Sequence, residues 1–319
     1  MKSEGIEIRR YTAADKAAWD GFVAQSKNGT FLFLRDYMDY HSDRFRDHSL
    51  MVYDGGRLSA LLPANDDGQG TLWSHRGLTY GGLIMDVRCR AAWVRQVFVL
   101  LNDYLRRQGF RRVVYKHVPW IYCALPSEED LFALANVCHA TLRSRDVASV
   151  VTLDNRLPFS TLRRRGVKKA QANGLTVCES DDFAGYWELL RENLRQRFHA
   201  SPVHSLPEIE LLHRRFPGHI RLFVTKRDDH MLGGTVLYID HLTVKTQYIS
   251  ASEEGKRTGA LDGLFCHLLR QFADEGMRLF DFGTSNRVDN DDLNEPLIFQ
   301  KEGFGGRAVC YDVYEWALE

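Results

Sequence analysis

The chain opens on an alternating run, "GIEIRRY", which predicts a strand. "TAADKAAWDGFVAQS" then sets Trp19, Phe22 and Val23 on one helical face, with Thr12 as its N-cap. The aromatic run "TFLFLRDYMDYHSDRF" predicts a second helix. "HSLMVYDGGRLSALLPAN" predicts two strands joined at Asp54-Gly55-Gly56. A strand "GTLWSH", a loop "RGLTYGG", a helix over Arg90 to Gln108 and a strand "RRVVYKHV" follow. "SEEDLFALANVCH" predicts a helix capped at Ser127, and "ASVVTL" a strand.

The second half runs in a similar order. A basic helix "PFSTLRRRGVKKAQANG" ends at Gly174, then come a strand "LTVCES" and the helices "DDFAGYWELLRENLRQRF" and "SLPEIELLHRRFP". Two strands surround the turn in "IRLFVTKRDDHMLGGTVLYI", and "HLTVKTQYISAS" is a third. After a polar turn and an apolar helix, "LFDFG", "PLIFQKEGF" and "AVCYDVYEWAL" read as strand, helix and strand. The matched order predicts two copies of one α/β unit packed side by side, residues 1–154 and 155–319.

Composition narrows the class. Of 319 residues, 44% are hydrophobic and 26% charged, the balance of a globular protein with a real core. The net charge is zero, which argues against a broad nucleic-acid footprint, so DNA is not an expected partner. The six cysteines form no C-x-x-C pair and read as reduced. The start of the chain lacks an apolar signal segment, and no run is long enough to span a membrane. These points predict a cytoplasmic protein. H-E-x-x-H, a Walker loop and G-x-S-x-G are all absent, so no metal site or serine nucleophile is expected.

Candidate chemistry centres on the turn before the helix "ALDGLFCHLL". A helix start offers unpaired N–H groups and the positive end of a dipole, and glycine lets an anion approach. Lys256, Arg257, Thr258, Gly259 and Ala260 therefore form a candidate phosphate turn; a solvated turn N-capped by Thr258 is the plain alternative. His204, in "SPVHSLPE" just ahead of Glu208, is either a general base or a ring that ties down its loop. Asp281, inside an apolar strand, is either a working carboxylate or half of a buried salt bridge to Lys301 or Arg307. Ser285 follows it at the strand's C-terminal edge, where ligands sit in parallel sheets. His75 and Tyr80, in the glycine-rich loop, are candidates for an acceptor pocket, with an irregular crossover as the alternative. Lys301 is placed to reach a phosphate or carboxylate. Arg163, Arg164, Arg165, Lys168 and Lys169 make a basic helix that is either a phosphate-binding surface or a solvated face.

"PVHS", "QYISASEEGK", "LFDFGTSN" and "LNEPLIFQKEGFG", with "SHRGLTYGG" in the first half, resemble FemAB-like proteins of the GNAT acyltransferase fold. The GNAT pyrophosphate loop is Q/R-x-x-G-x-G/A; here Lys256 and Gly259 match its first two fixed positions and Leu261 stands at the last. The resemblance implies two tandem GNAT-like domains, the second holding the donor. It places Tyr248 and Ser250 on the side of their strand where acyl donors lie, Tyr248 as anchor or acid. A cross-strand aromatic pair is the alternative for Tyr248. The activity it implies is N-acyl transfer to an amine of a sugar, peptide or cell-envelope precursor. Acyl-CoA is the favoured co-substrate, with no tightly bound cofactor. The alternatives are a Fem-type transfer from aminoacyl-tRNA, which makes tRNA a partner, and a non-catalytic binding protein.

Overall fold

A computed structural model describes residues 5–198, 201–287 and 292–318. In chain order the elements are β1 (Ile6–Arg10), α1 (Lys16–Gln25), α2 (Arg35–Met38), β2 (Arg46–Asp47), β3 (Leu50–Asp54), β4 (Arg57–Leu62), β5 (Asn65–Asp66), β6 (Thr71–Trp73), β7 (Ile84–Met85), α3 (Ala91–Arg107), β8 (Arg112–Lys116), α4 (Glu129–Asn136) and β9 (Thr141–Thr152). They continue with α5 (Thr161–Ala172), β10 (Thr176–Glu179), α6 (Phe183–Phe198), α7 (Leu206–Arg215), β11 (Ile220–Arg227), β12 (His230–Asp240), β13 (Thr243–Ala251), α8 (Glu253–Thr258), α9 (Ala260–Asp274), β14 (Leu279–Thr284), α10 (Glu295–Glu302) and β15 (Arg307–Ala317).

The chain forms two compact units, Met1–Asp146 with Cys310–Glu319, and Val147–Val309. The sequence pattern sets its join at 154; the structural division falls inside β9, and the last strand from Cys310 onward belongs with the first unit. There β15 pairs antiparallel with β8, and the Trp316 indole donates to Asn102 Oδ1 at 3.0 Å.

In the first unit β1, β3, β4 and β7 make one antiparallel sheet, while β6 runs parallel to β8. Val94, Val97, Phe98, Leu101 and Leu105 recur on one face of α3, and they share a core with Leu50, Val52, Leu62 and Trp316. The predicted second helix is broken. Phe31–Phe33 and Asp39–His41 are 3₁₀ turns around the four-residue α2. Phe31, Leu32 and Phe33 are buried in succession, which leaves that turn no outward face for a regular helix, and extended Leu34 interrupts the run. Ser127 is not the cap of α4 either; its hydroxyl donates back to the Leu125 carbonyl at 2.8 Å, and Glu128 takes the cap position.

In the second unit the sheet runs β10, β11, β12, β13, β14, β9. All neighbours are antiparallel except β13 and β14, which α8 and α9 connect as a crossover. Leu264, Phe265, Leu268, Leu269 and Phe272 on α9 pack with Leu237, Val244, Phe280, Phe282 and Phe304. That face of the sheet is therefore sealed by α9, while α6 packs on β12 and β13.

Candidate functional site

β13 and β14 pair over only three residues: Thr243 with Leu279, Val244 with Phe280, and Lys245 with Asp281. Beyond that point both strands continue, to Ala251 and Thr284, without pairing to each other. Each is irregular where they part. The register of β13 against β12 jumps between Tyr248 and Thr246, which makes Gln247 an extra residue. The register of β14 against β9 shifts between Asp281 and Thr284. Bulges bend strands, and here they open a fork.

The bulge also decides which side chains meet. Tyr248 lies opposite Val236 and Lys245 opposite Tyr238, and Val236 and Tyr238 share a face of β12. Lys245, Tyr248 and Ser250 therefore share one face; a regular strand would have put Lys245 and Tyr248 on opposite faces. Asp281 joins them, because its neighbours Phe280 and Phe282 point into the α9 core.

Charge at the fork is buried. Asp281 is fully buried and its Oδ1 accepts from the Gly283 N–H at 2.7 Å. Lys245 Nζ donates to Gln247 Oε1 at 2.7 Å. Lys301, from α10, donates to the carbonyls of Gly283 at 2.9 Å and Thr284 at 2.6 Å. Burial depresses both lysines, Lys301 to about 8; the Asp281 charge pulls each back up, and Lys245 pushes Lys301 further down. The hydroxyls of Ser250 and Ser285 are buried without a hydrogen-bond partner among the described residues.

His204 comes to the same face from the loop between α6 and α7. Its Nδ1 lies 2.5 Å from the Tyr248 hydroxyl, and its backbone N–H donates to that oxygen at 3.1 Å. Trp187 on α6 donates to the His204 carbonyl at 3.2 Å and packs edge-on to Tyr248. Burial pushes Tyr248 up to about 12, so it holds its proton at neutral pH. With the backbone N–H already pointing at the phenol oxygen, the phenol donates to Nδ1. Glu208 is a helix cap instead of a free carboxylate: it accepts from the N–H and hydroxyl of Ser205 at 2.7 and 2.9 Å.

The candidate phosphate turn has a different use. Its residues fold into α8, whose N-cap is Ser252 and whose first turn carries Glu253 and Glu254. Thr258 caps nothing; its hydroxyl donates backward to the Glu254 carbonyl at 2.9 Å. The helix that follows starts at Gly259, with φ +82°, pressed so closely to α5 that a Cβ would lie 2.5 Å from the Gly166 carbonyl oxygen. A Cβ on Gly255 would lie 2.0 Å from the Leu232 carbonyl. Both glycines serve close packing of backbone on backbone. Lys256 donates to Glu253 and Asn193, Arg257 is exposed, and Ala260 is buried. A cavity of about 360 Å³ does open beside the start of α8, lined by Glu188, Glu192, Asn193, Ser252, Glu253 and Lys256. Its rim has more carboxylates than cations, the wrong sign for a pyrophosphate.

Residues 160–291 match the family described as acetyltransferase (GNAT) domain. Solved structures extend the likeness to both units. FemX is 11% identical over 98% of this chain and 97% of its own, with a TM-score of 0.71. A tandem GNAT protein from the clavulanic acid biosynthesis pathway is 14% identical over 98% of this chain and 99% of its own, at 0.53. The chain is a tandem GNAT-fold protein. L-PGS from Bacillus licheniformis shares the fold at 12% identity, covering 95% of this chain and 91% of that one, with a TM-score of 0.60. Among curated proteins none matches the chain.

The first GNAT copy closes its own fork. β6 and β8 pair in parallel through Trp73 and Val114, and then Ser74 folds the chain back. The Gly81 N–H donates to the Lys116 carbonyl at 3.2 Å, and Lys116 Nζ donates to the Leu78 carbonyl at 2.7 Å. A Cβ on Gly81 would lie 1.8 Å from the Ser74 carbonyl oxygen, so this glycine packs against its own loop, not a ligand. Tyr80 stacks on Tyr122 and its hydroxyl reaches Thr30. His75 is buried against His41, and burial holds its imidazole well below the usual value. Both residues fill space that the expected acceptor pocket would need.

The GNAT fork also contains residues that pattern reading passed over. Lys245 reads as a solvated strand cation until both faces of the sheet are known to be covered. The signal that singled out Asp281, a charge inside an apolar strand, applies to it equally. Trp187, Glu188 and Glu192 looked like ordinary positions on an amphipathic helix.

Proposed function

We propose that the second GNAT unit is an N-acyltransferase, moving an acyl group from an activated donor to an amine of a sugar, peptide or cell-envelope precursor. The single observation that carries this reading is the fork that gathers Tyr248, His204, Lys245, Asp281 and Ser250 on the face of the sheet opposite α9. A protonated amine is not a nucleophile, so a base must take its proton. As the neutral amine attacks the acyl carbonyl, its proton passes to the Tyr248 oxygen while the phenol proton moves to His204 Nδ1; as the intermediate collapses, the bond from the acyl carbon to the donor's oxygen or sulfur breaks and the leaving group takes a proton back from His204 through Tyr248. Lys301 retains a third N–H beyond its two carbonyl bonds, and it faces the negative charge that gathers on the carbonyl oxygen. Asp281 keeps that lysine charged near neutral pH. Ser250 and Ser285 offer their unpartnered hydroxyls to the substrate.

Of the two donor classes, an aminoacyl ester fits better than a coenzyme A thioester. Glu188 at the cavity rim suits an ammonium group, Glu192 and Glu253 being paired with Arg195 and Lys256, while α8, with Ser252 and two glutamates in its own first turn, gives a pyrophosphate little to bind. Charged tRNA and the acceptor would meet the protein in the cytoplasm. The test is a donor panel: wild-type protein with labelled acetyl-CoA or labelled aminoacyl-tRNA, a mixture of amine acceptors, and mass spectrometry of the products. Product from the aminoacyl donor supports this reading. Product from acetyl-CoA alone overturns the donor assignment, and no product from either overturns the enzyme.

A further inference from the structure

The 24 residues from Asn155 to Cys178 contain six cations and no Asp or Glu, in a chain of zero net charge. Five of the cations lie on α5. Arg163 faces inward, paired with Asp262 at 2.8 Å and lying over the Phe304 ring. Arg164, Arg165, Lys168 and Lys169 are exposed, and at the helical repeat they occupy one outward face opposite buried Ala170. None of the four has an ion-pair partner among the described residues; Arg164 donates to Thr161 at 3.1 Å. A solvated helix normally intersperses acids at such spacings.

Three apolar side chains adjoin this face. Leu162 is 52% exposed, Leu157 42% and Phe299 64%. The Ser160 N–H donates to the Gly303 carbonyl at 2.8 Å, so the end of α10 lies against the start of α5. Phe299, one turn before Gly303, is on the same side of α10. The apolar residues thus rim the N-terminal end of the basic face.

We propose that α5 and this rim dock the second unit onto an anionic phospholipid surface. The cations meet headgroup phosphates, and Leu157, Leu162 and Phe299 enter the boundary between headgroups and acyl chains. RNA would satisfy the cations but would leave two exposed leucines against a charged backbone, which is why lipid is favoured. The contact is peripheral, since no described helix is long and apolar enough to cross a membrane. The inference stands apart from the acyl-transfer chemistry and is tested without it.

The experiment is flotation of the full chain with vesicles of phosphatidylcholine alone or mixed with phosphatidylglycerol, at low and high salt. The expected result is binding to the mixed vesicles only, weakened by salt. Each cation removed should lower partitioning about fivefold, so Arg164→Ser/Arg165→Ser and Lys168→Ser/Lys169→Ser should each lose about 25-fold. Leu162→Ser/Phe299→Ser should weaken binding with charge unchanged. All six side chains are exposed, and thermal unfolding checks that the variants fold. Failure to bind mixed vesicles, equal binding to neutral vesicles, or indifference to all three variants overturns the proposal. So does binding of a tRNA probe that the serine variants abolish while vesicles go unbound.

Discussion

Lys301→Met measures the buried charge at the fork. The Lys301 ammonium is ordinarily half-titrated at 10.5, and burial lowers that to about 8. Holding the charged form in the fold at pH 7 therefore costs roughly 3 kcal/mol. Between the two values the unfolded chain binds the proton and the folded one does not, so stability rises with pH across that window. Below about 8 the cost is present in full. By pH 10 most of it is gone, and wild type should gain roughly 2 kcal/mol on Lys301→Met between pH 7 and pH 10. Methionine also leaves the Gly283 and Thr284 carbonyls without their donor, but that loss offsets the comparison equally at every pH. Urea unfolding of both proteins at a series of pH values reads the difference directly. Parallel stability curves for the two proteins would show that Lys301 carries no depressed ionisation, and the charge account of the fork would fail with it.

Other consequences are as direct. Tyr248→Phe removes the acceptor of the His204 N–H and the partner of Nδ1; chemical denaturation should show a loss of about 1–2 kcal/mol, and transfer should fall about 10²- to 10⁴-fold. Gly259→Ala forces a side chain onto the Gly166 carbonyl at a positive φ; thermal unfolding should report a loss of at least about 1–3 kcal/mol, whereas Arg257→Ala should leave the donor KM unchanged. His75 has its folded ionisation held below the ordinary 6.5, so the stability tied to it is complete above 6.5 and lost as pH falls through the folded value. His75→Asn, whose side chain tolerates the backbone φ of +71°, should resist acid unfolding better than wild type when followed by tryptophan fluorescence.

Periodicity carried much of the fold. The faces of α3 and α9, the hairpin at Asp54-Gly55-Gly56 and the repeated order of elements follow from spacing alone, because each buries one stripe on one core. The aromatic run after Thr30 misled, because Phe31, Leu32 and Phe33, buried in succession, have no amphipathic period to read. At the site, Asp281 stood out as a charge in an apolar strand, and His204 and Tyr248 were singled out separately. Their contact joins residues 44 positions apart, and it depends on a bulge at Gln247 that no local pattern announces. The glycines near Thr258 show the opposite failure. Lys256 and Gly259 have the spacing of an anion loop, yet close backbone packing demands glycine at 255 and 259 just as strictly. In the sequence the sign against the anion was Leu261 at the loop's last fixed position; in the structure Glu253 and Glu254, in the first turn of α8, add to it.

The most direct measurement of the central claim is single-turnover transfer of a labelled aminoacyl group to amine acceptors by wild type, Tyr248→Phe and His75→Asn, the last two altering the open fork and the closed one. The account predicts transfer by wild type and His75→Asn and its near loss in Tyr248→Phe. Full transfer by Tyr248→Phe, or loss in His75→Asn alone, would contradict it.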